Sequence, residues 1–315
     1  MRRPTGRRSL RPPRWEPVRL ASRGEDAHAW AMVMTVSRRA LVSGLLLLPL
    51  AGRAGAQHDD PDPFRLSGPA RQGAALLGTV PDGIMMLMFG DRRIDFAVDG
   101  RFIIAFDRDA GPEAVLKAEM YDDRHIEQRL VVAPGDWRIE QVNAPLLGGA
   151  KTSEEYQRRR AAELERIAAA RAIYTQSEGW RQRFIWPVKA RVSGLFGAQR
   201  VYQGTPGSYH SGMDIAGGAG TTYVAPADGV VTLAADEPFT LEGNLLMLDH
   251  GMGLNSAFLH SQRLLVKQGD VVEQGQPLGL IGATGRASGP HLHWSMKWED
   301  ARIDPATFVG ATGQS

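Results

Sequence analysis

The feature that most constrains this chain is the stretch from Phe184 to its end, where short apolar runs alternate with glycines and no helical spacing survives. Val224-Ala225-Pro226, Gly229-Val230-Val231-Thr232-Leu233, Leu245-Leu246-Met247-Leu248 and Pro277-Leu278-Gly279-Leu280-Ile281-Gly282 are short, bounded by turn residues, and read as strands. Residues 181–315 are therefore expected to form an antiparallel β-sheet domain. Lys267 to Val272 and Gly275-Gln276 read as turns around a barrel-like sheet.

Upstream, Gly83 to Phe89, Arg101 to Phe106 and Gln128 to Val132 have β-type patterning, separated by turn signals such as Pro81-Asp82-Gly83 and Val98-Asp99-Gly100. Residues 57–150 are expected to be a small antiparallel, sandwich-like β domain. Between the two lies a helical connector, residues 151–180, with its helix running from Thr152 or Ser153 as cap to about Tyr174. Acidic residues crowd its first turn, and Glu154–Arg158 and Glu155–Arg159 are i,i+4 pairs. Tyr156, Leu164, Ile167 and Tyr174 give only a narrow apolar stripe, so the helix should lie on a surface, with Arg158-Arg159-Arg160 as its solvated face. The fold class is mainly β.

The formal charge of +2 misleads, because it is unevenly spread. Residues 1–56 hold 11 of the 37 basic residues and 3 of the 35 acidic ones, leaving 26 basic against 32 acidic and a body near −6. Such a body has no general attraction to phosphate, so nucleic acid is not an expected partner. Ser37-Arg38-Arg39, the apolar core Ala40–Leu50 and Ala54-Gly55-Ala56 have the three parts of a secretory signal peptide, cleaved after Ala56, by a general or a twin-arginine route. The apolar core is too short for a permanent membrane span. Residues 1–31 read as a disordered extension or an upstream start. With no lipid-anchor cysteine and no sorting tail, the expected location is periplasmic.

The chain has no cysteine, so a metal must be held by histidine and carboxylate. His210-Ser211-Gly212-Met213-Asp214 places a histidine and an aspartate four apart, and His291-Leu292-His293 alternates two histidines that leave the same face of a strand. Two histidines and one aspartate make the three-ligand count of a catalytic zinc site with one position open. His260 follows a strand-like run, and a histidine beside a metal suits proton transfer. His125, among Asp122, Asp123 and Arg124, reads as a solvated loop residue.

From Phe184 to Pro305 the chain resembles the catalytic domain of the lysostaphin-type (LytM-type) zinc metallopeptidases of bacterial cell walls. The likeness is carried in order by Trp186-Pro187, Ser193-Gly194-Leu195-Phe196-Gly197, His210 to Ala216, Val224 to Val231, Asp249-His250-Gly251, Leu259-His260, Val266 to Val272 and Gly282 to His293. The resemblance implies one Zn2+ held by His210, Asp214 and His293, with His260 and His291 as a non-ligating catalytic pair. His250 matches a structural turn position. Where the family often has a tyrosine, Phe258 stands here, and Tyr202 and Tyr209 are the nearby candidates for an oxyanion-stabilising hydroxyl. The glycines of Gly282–Gly289 are expected to deliver His291 and His293 to the metal, not to cradle a phosphate.

The implied activity is hydrolysis of a peptide bond in peptidoglycan cross-links or stem peptides. The alternative is a non-catalytic module that binds and activates another wall hydrolase. Regulatory envelope proteins are further candidate partners, and the N-terminal β domain is expected either to position substrate or to occlude the cleft.

Overall fold

The computed structural model describes residues 62–146, 153–235 and 237–309. The chain divides into two units, Met1–Gln57 and His58–Ser315, and all described residues belong to the second. The expected signal peptide and its expected cleavage site lie outside the described residues.

The architecture is mainly β. In the N-terminal part, strands Arg92–Ile94, Ile84–Phe89, Glu113–Met120 and His125–Val131 form an antiparallel sheet in that order, and Ala75–Thr79 pairs antiparallel with Arg101–Ala105. Their inward residues, among them Leu76, Leu87, Phe102, Ile104 and Leu116, are buried together. Glu113–Met120 was not among the expected strands, although its buried Leu116, Ala118 and Met120 alternate with the period of two that a half-buried strand requires.

The large C-terminal sheet runs Val271–Val272, Gly229–Ala234, Asn244–Asp249, Leu254–Ser261, Leu292–Trp298, Met213–Ile215 and Val192–Gly194, with Ala301–Ile303 paired to Leu292–Trp298. The unbroken apolar run Leu245–Leu248 follows from cover on both faces. Leu246 and Leu248 enter the main core with Phe258, Trp294 and Met296, while Leu245 and Met247 join Ala257 and Leu233 in a second cluster. That second face is where the helix sits: Ala170 is buried in the cluster and Ile167 packs against it.

The helix spans Glu154–Arg171, and Ser153 caps it by accepting a hydrogen bond from the Tyr156 N–H. It does lie on a sheet face, but by a different stripe from the one expected: Leu164 and Tyr174 are exposed, and Glu163 is buried instead. The expectation of a fully solvated arginine face also needs correction. Arg158 is exposed, whereas the Arg160 side chain is 18% exposed and grips Glu242 through both guanidinium nitrogens at 2.6 and 2.8 Å. Glu163 in turn accepts from the Thr240 N–H and hydroxyl, both at 2.7 Å, and from Arg159 at 3.1 Å. The helix is thus bolted to the loop before Gly243 by charge-assisted bonds.

Packing runs across the segment boundaries placed near residues 150 and 180. Strand Ile139–Val142 pairs in parallel with Gln199–Tyr202, a departure from a purely antiparallel fold. Arg108, buried, donates to the Gly197 carbonyl at 3.1 Å and to Gln199 Oε1 at 2.9 Å. Phe89 meets Trp298 edge-on at 5.9 Å between ring centroids, and Arg92 bonds Glu299 and Asp300.

Candidate metal centre and catalytic histidines

Strands Met213–Ile215, Leu292–Trp298 and Leu254–Ser261 lie side by side, and this ordering assembles the site. Antiparallel register sets Asp214 opposite His293, and His293 opposite Leu259, one residue before His260. His210 enters from the loop before Met213, where its backbone N–H donates to the Ala198 carbonyl at 2.8 Å.

His210 Nε2, Asp214 Oδ1 and His293 Nδ1 converge. Their separations are 3.0 Å from His210 to Asp214, 2.8 Å from His293 to Asp214 and 3.1 Å between the two histidines. Ligands held at about 2.0–2.1 Å around a tetrahedral ion stand roughly 3.3 Å apart, so two imidazoles and a carboxylate so placed fit one divalent cation of zinc-like preference. Among the described residues this trio is the one group of three or more potential ligands that converges so closely. The other nitrogen of His210, Nδ1, lies 3.0 Å from the Leu195 carbonyl, which accepts the Nδ1–H hydrogen bond and leaves the Nε2 lone pair for a metal.

Two glycines make room for these groups. A Cβ on Gly194 would come within 2.5 Å of Asp214 Oδ2, and one on Gly212 within 2.6 Å of His293 Nε2 and 2.7 Å of the Trp294 carbonyl. Both positions admit only hydrogen.

His260 and His291 face each other beside this trio, ring centroids 4.9 Å apart. His260 Nδ1 is 2.8 Å from the Thr284 carbonyl and His291 Nδ1 is 2.8 Å from the Gly289 carbonyl. A carbonyl can only accept, so each ring carries a proton on Nδ1, and in the neutral ring the Nε2 lone pair is free. The Nε2 of His291 stands 3.6 Å from Asp214 Oδ1, which aims it into the same space. His260 adopts φ 66, a left-handed conformation that a non-glycine residue occupies at a cost, and its N–H donates to the Glu242 carbonyl at 2.8 Å. The glycine-rich run forms a loop whose ends meet at a Gly282–His291 bridge, so it fixes His291 at its base and orients His260 through Thr284.

The electrostatics follow from burial set against pairing. Burial opposes the charge of Asp214, but hydrogen bonds from His210 and His293 hold its carboxyl well below the usual range. His210 is also opposed by burial, yet the Asp214 bond raises it, while the deeper burial of His293 lowers that residue despite the same partner. His260 is lowered by burial, with the neighbouring His291 and His293 adding to the effect. A neutral His260 at neutral pH can act as a base.

A cleft of about 630 Å3 opens over these residues, lined also by Tyr209, Glu242 and Arg286. It adjoins a groove whose walls carry Arg138, Arg191, Arg200 and Arg286 against the single acid Glu140. Tyr209 lines both, whereas Tyr202 lines the groove alone. Among the described residues of the N-terminal part, Arg138, Glu140 and Leu146 wall the groove and none lines the cleft. Phe258 is buried between Tyr223 and Trp294, stacked at 5.5 and 6.5 Å, so its side belongs to the core. His250 is fully buried, its Nδ1 on the Asp228 carbonyl and its Nε2 on Ser256 Oγ, and His125 is exposed on a strand of the N-terminal sheet. The residues that sequence reasoning missed are Arg160 and Glu242, which hold the loop behind His260.

Residues 208–305 match peptidase family M23. The chain is 37% identical over 116 residues to the peptidoglycan DD-endopeptidase ShyA of Vibrio cholerae, covering 36% of this chain and 26% of that one. It is 30% identical over 130 residues to the murein hydrolase activator NlpD of Escherichia coli, covering 41% and 31%. The match thus spans less than a third of either relative. A solved structure described as a putative peptidase M23 from Pseudomonas aeruginosa superposes with a TM-score of 0.60 at 27% identity, over 78% of this chain and 97% of that one. That likeness reaches beyond the M23 segment.

Proposed function

We propose that the chain, whose residues 208–305 match peptidase family M23, is a zinc-dependent endopeptidase that hydrolyses peptide bonds in bacterial peptidoglycan. The observation that carries this reading is the pairing of two sets of side chains: a His210–Asp214–His293 trio whose donor atoms converge, and beside it His260 and His291, each with its Nδ1 on a backbone carbonyl. In it, His210, Asp214 and His293 hold Zn2+ and leave a coordination position open, and His260 and His291 are the catalytic pair.

Bound there, zinc supplies Lewis acidity toward a peptide carbonyl or water. The chain's own residues supply the rest. The Nε2 of His260 or His291 takes the proton of the water whose oxygen attacks the carbonyl carbon, then returns it to the amine nitrogen as the C–N bond breaks. Their Nδ1–H groups, spent on Thr284 and Gly289, hold both rings in that tautomer. Tyr209, at the cleft wall, offers a hydroxyl to stabilise the oxyanion. The arginines of the adjoining groove suit an acidic peptide, and Arg138, Glu140 and Leu146 give the N-terminal part a role in positioning it.

The reading includes export by the leader within residues 1–56 and a periplasmic location. No helix among the described residues is long and apolar enough to cross a membrane. The likeness to a murein hydrolase activator favours a second reading, a module that binds and activates another wall hydrolase. Retention of the full trio and both further histidines supports the enzyme. Incubating the purified chain with isolated peptidoglycan, with and without a zinc chelator, separates them. Chelator-sensitive release of newly cut peptides, seen by mass spectrometry, is the expected result. No release from zinc-loaded protein, together with stimulation of an added hydrolase, would establish the activator.

A further inference from the structure

A second cavity, about 390 Å3, lies between the helix and the sheet and shares Ser211, Glu242, Leu259 and His293 with the candidate active-site cleft. Its floor is the same face of strand Leu292–Trp298 that carries His293: side chains of His293, Ser295 and Lys297 follow one another at the two-residue period. Besides Arg160, which is paired with Glu163 and Glu242, three cations from three separate elements line it. Lys297 comes from this strand, Arg302 from the paired strand Ala301–Ile303, and Arg171 from the last turn of the helix above.

Part of this arrangement is unbalanced as it stands. Lys297 and Arg302 are directly opposite one another in the antiparallel register, a placement in which like charges repel. Arg171 Nη1 is buried and finds no acceptor among the described residues, which costs more than a satisfied bond would return. Burial, with Arg302 adding its repulsion, pushes Arg171 down to about 10, so it still carries its charge at neutral pH. The nearby acids answer the cluster only in part: Tyr209, with Asp107 and Asp109, favours the charge of Arg302, but Asp300 pairs with Arg92 and Glu242 is gripped by Arg160. Arg302 reaches Tyr209 Oη at 3.4 Å, linking the cluster to the cleft wall.

We propose that Arg171, Lys297 and Arg302 form a carboxylate subsite that holds an acidic side chain or terminus of the peptide bound across the cleft. That the ligand is a peptide rests on the hydrolase reading above; that it is a carboxylate rests on the cluster itself. Lys297 is four residues along the strand from His293, about 13 Å at strand spacing. The preferred carboxylate therefore lies two to four residues from the bond at the catalytic histidines, and substrates are selected by the position of that charge.

The test uses N-acetylated alanine pentapeptides carrying one glutamate at each position in turn, and glutamine counterparts. Their affinity for the full chain is measured by calorimetry with a chelator present, so that nothing is cut. Glutamate at one or two adjacent positions should bind about tenfold more tightly than glutamine, as expected for new charge-assisted bonds. Lys297→Gln and Arg171→Gln should each shrink that preference to threefold or less. Lys297→Gln should also raise the melting temperature, because it relieves the Lys297–Arg302 repulsion. Equal affinity for the two peptide series, absence of binding by both, or a preference that survives in both variants would overturn the subsite. A parallel digestion of peptidoglycan keeps the two ideas apart. Cutting without carboxylate preference sinks the subsite alone, and carboxylate preference without cutting sinks the hydrolase alone.

Discussion

His250 should make this protein acid-labile by a calculable amount. The ring is fully buried, donates from Nδ1 to the Asp228 carbonyl at 2.7 Å and meets Ser256 Oγ through Nε2 at 2.8 Å. Burial holds its pKa down at about 4, against an ordinary 6.5. Above pH 6.5 neither the folded nor the unfolded chain protonates this ring, and its stabilising contacts are intact. Between 6.5 and 4 the unfolded state takes a proton that the folded state refuses, so stability falls with pH at about 1.4 kcal/mol per unit. From pH 7.5 to 4 this one residue should remove about 3 kcal/mol, a large part of a typical domain's margin. Glutamine can keep both hydrogen bonds without titrating. Urea unfolding of the wild type and of His250→Gln at both pH values isolates the effect, since the carboxylates titrate alike in both. The wild type should lose about 3 kcal/mol more than the variant; parallel losses within about 0.5 kcal/mol would refute the reasoning.

Three further outcomes follow from the site. His293→Ala should abolish zinc binding and turnover together, whereas His260→Ala should keep zinc, measured by elemental analysis, and lose turnover by about 10²- to 10⁴-fold; retained hydrolysis in the His260 variant would overturn its role. Gly212→Ala forces a methyl onto His293 Nε2 and the Trp294 carbonyl, so zinc affinity should fall and stability drop by about 1–3 kcal/mol, read by metal titration and thermal melting. Arg160→Met strands Glu242 and loosens the carbonyl that holds His260, so stability should fall by about 1–3 kcal/mol, and Arg160→Met with Glu242→Gln should recover part of it in urea unfolding.

The geometry that was legible in the sequence is local. His291 and His293, two apart, bring a nitrogen each to 3.6 and 2.8 Å from Asp214 Oδ1, because alternation along a strand fixes direction whatever the partner strands are. Short glycine-bounded runs likewise announce strands, and the Ser153 cap announces the helix start. The apolar stripe of the helix was misjudged because its buried face uses Glu163 and Ala170, and a buried glutamate is recognisable only once Thr240 and the two arginines are beside it. The same holds for Arg160 and Glu242, 82 residues apart, and for the parallel pairing of Ile139–Val142 with Gln199–Tyr202. The Arg171–Lys297–Arg302 cavity needs the helix, the strand and its neighbour to be folded before it exists.

The central claim, that His210, Asp214 and His293 hold a catalytic zinc with His260 and His291 standing off it, is tested most directly by a crystal structure of the zinc-loaded chain with diffraction recorded at the zinc edge. The account predicts one anomalous peak about 2.0–2.2 Å from His210 Nε2, Asp214 Oδ1 and His293 Nδ1, with the Nε2 atoms of His260 and His291 outside bonding distance. A peak bonded to His260 or His291 as a fourth protein ligand would close the site, make the metal structural and contradict the account.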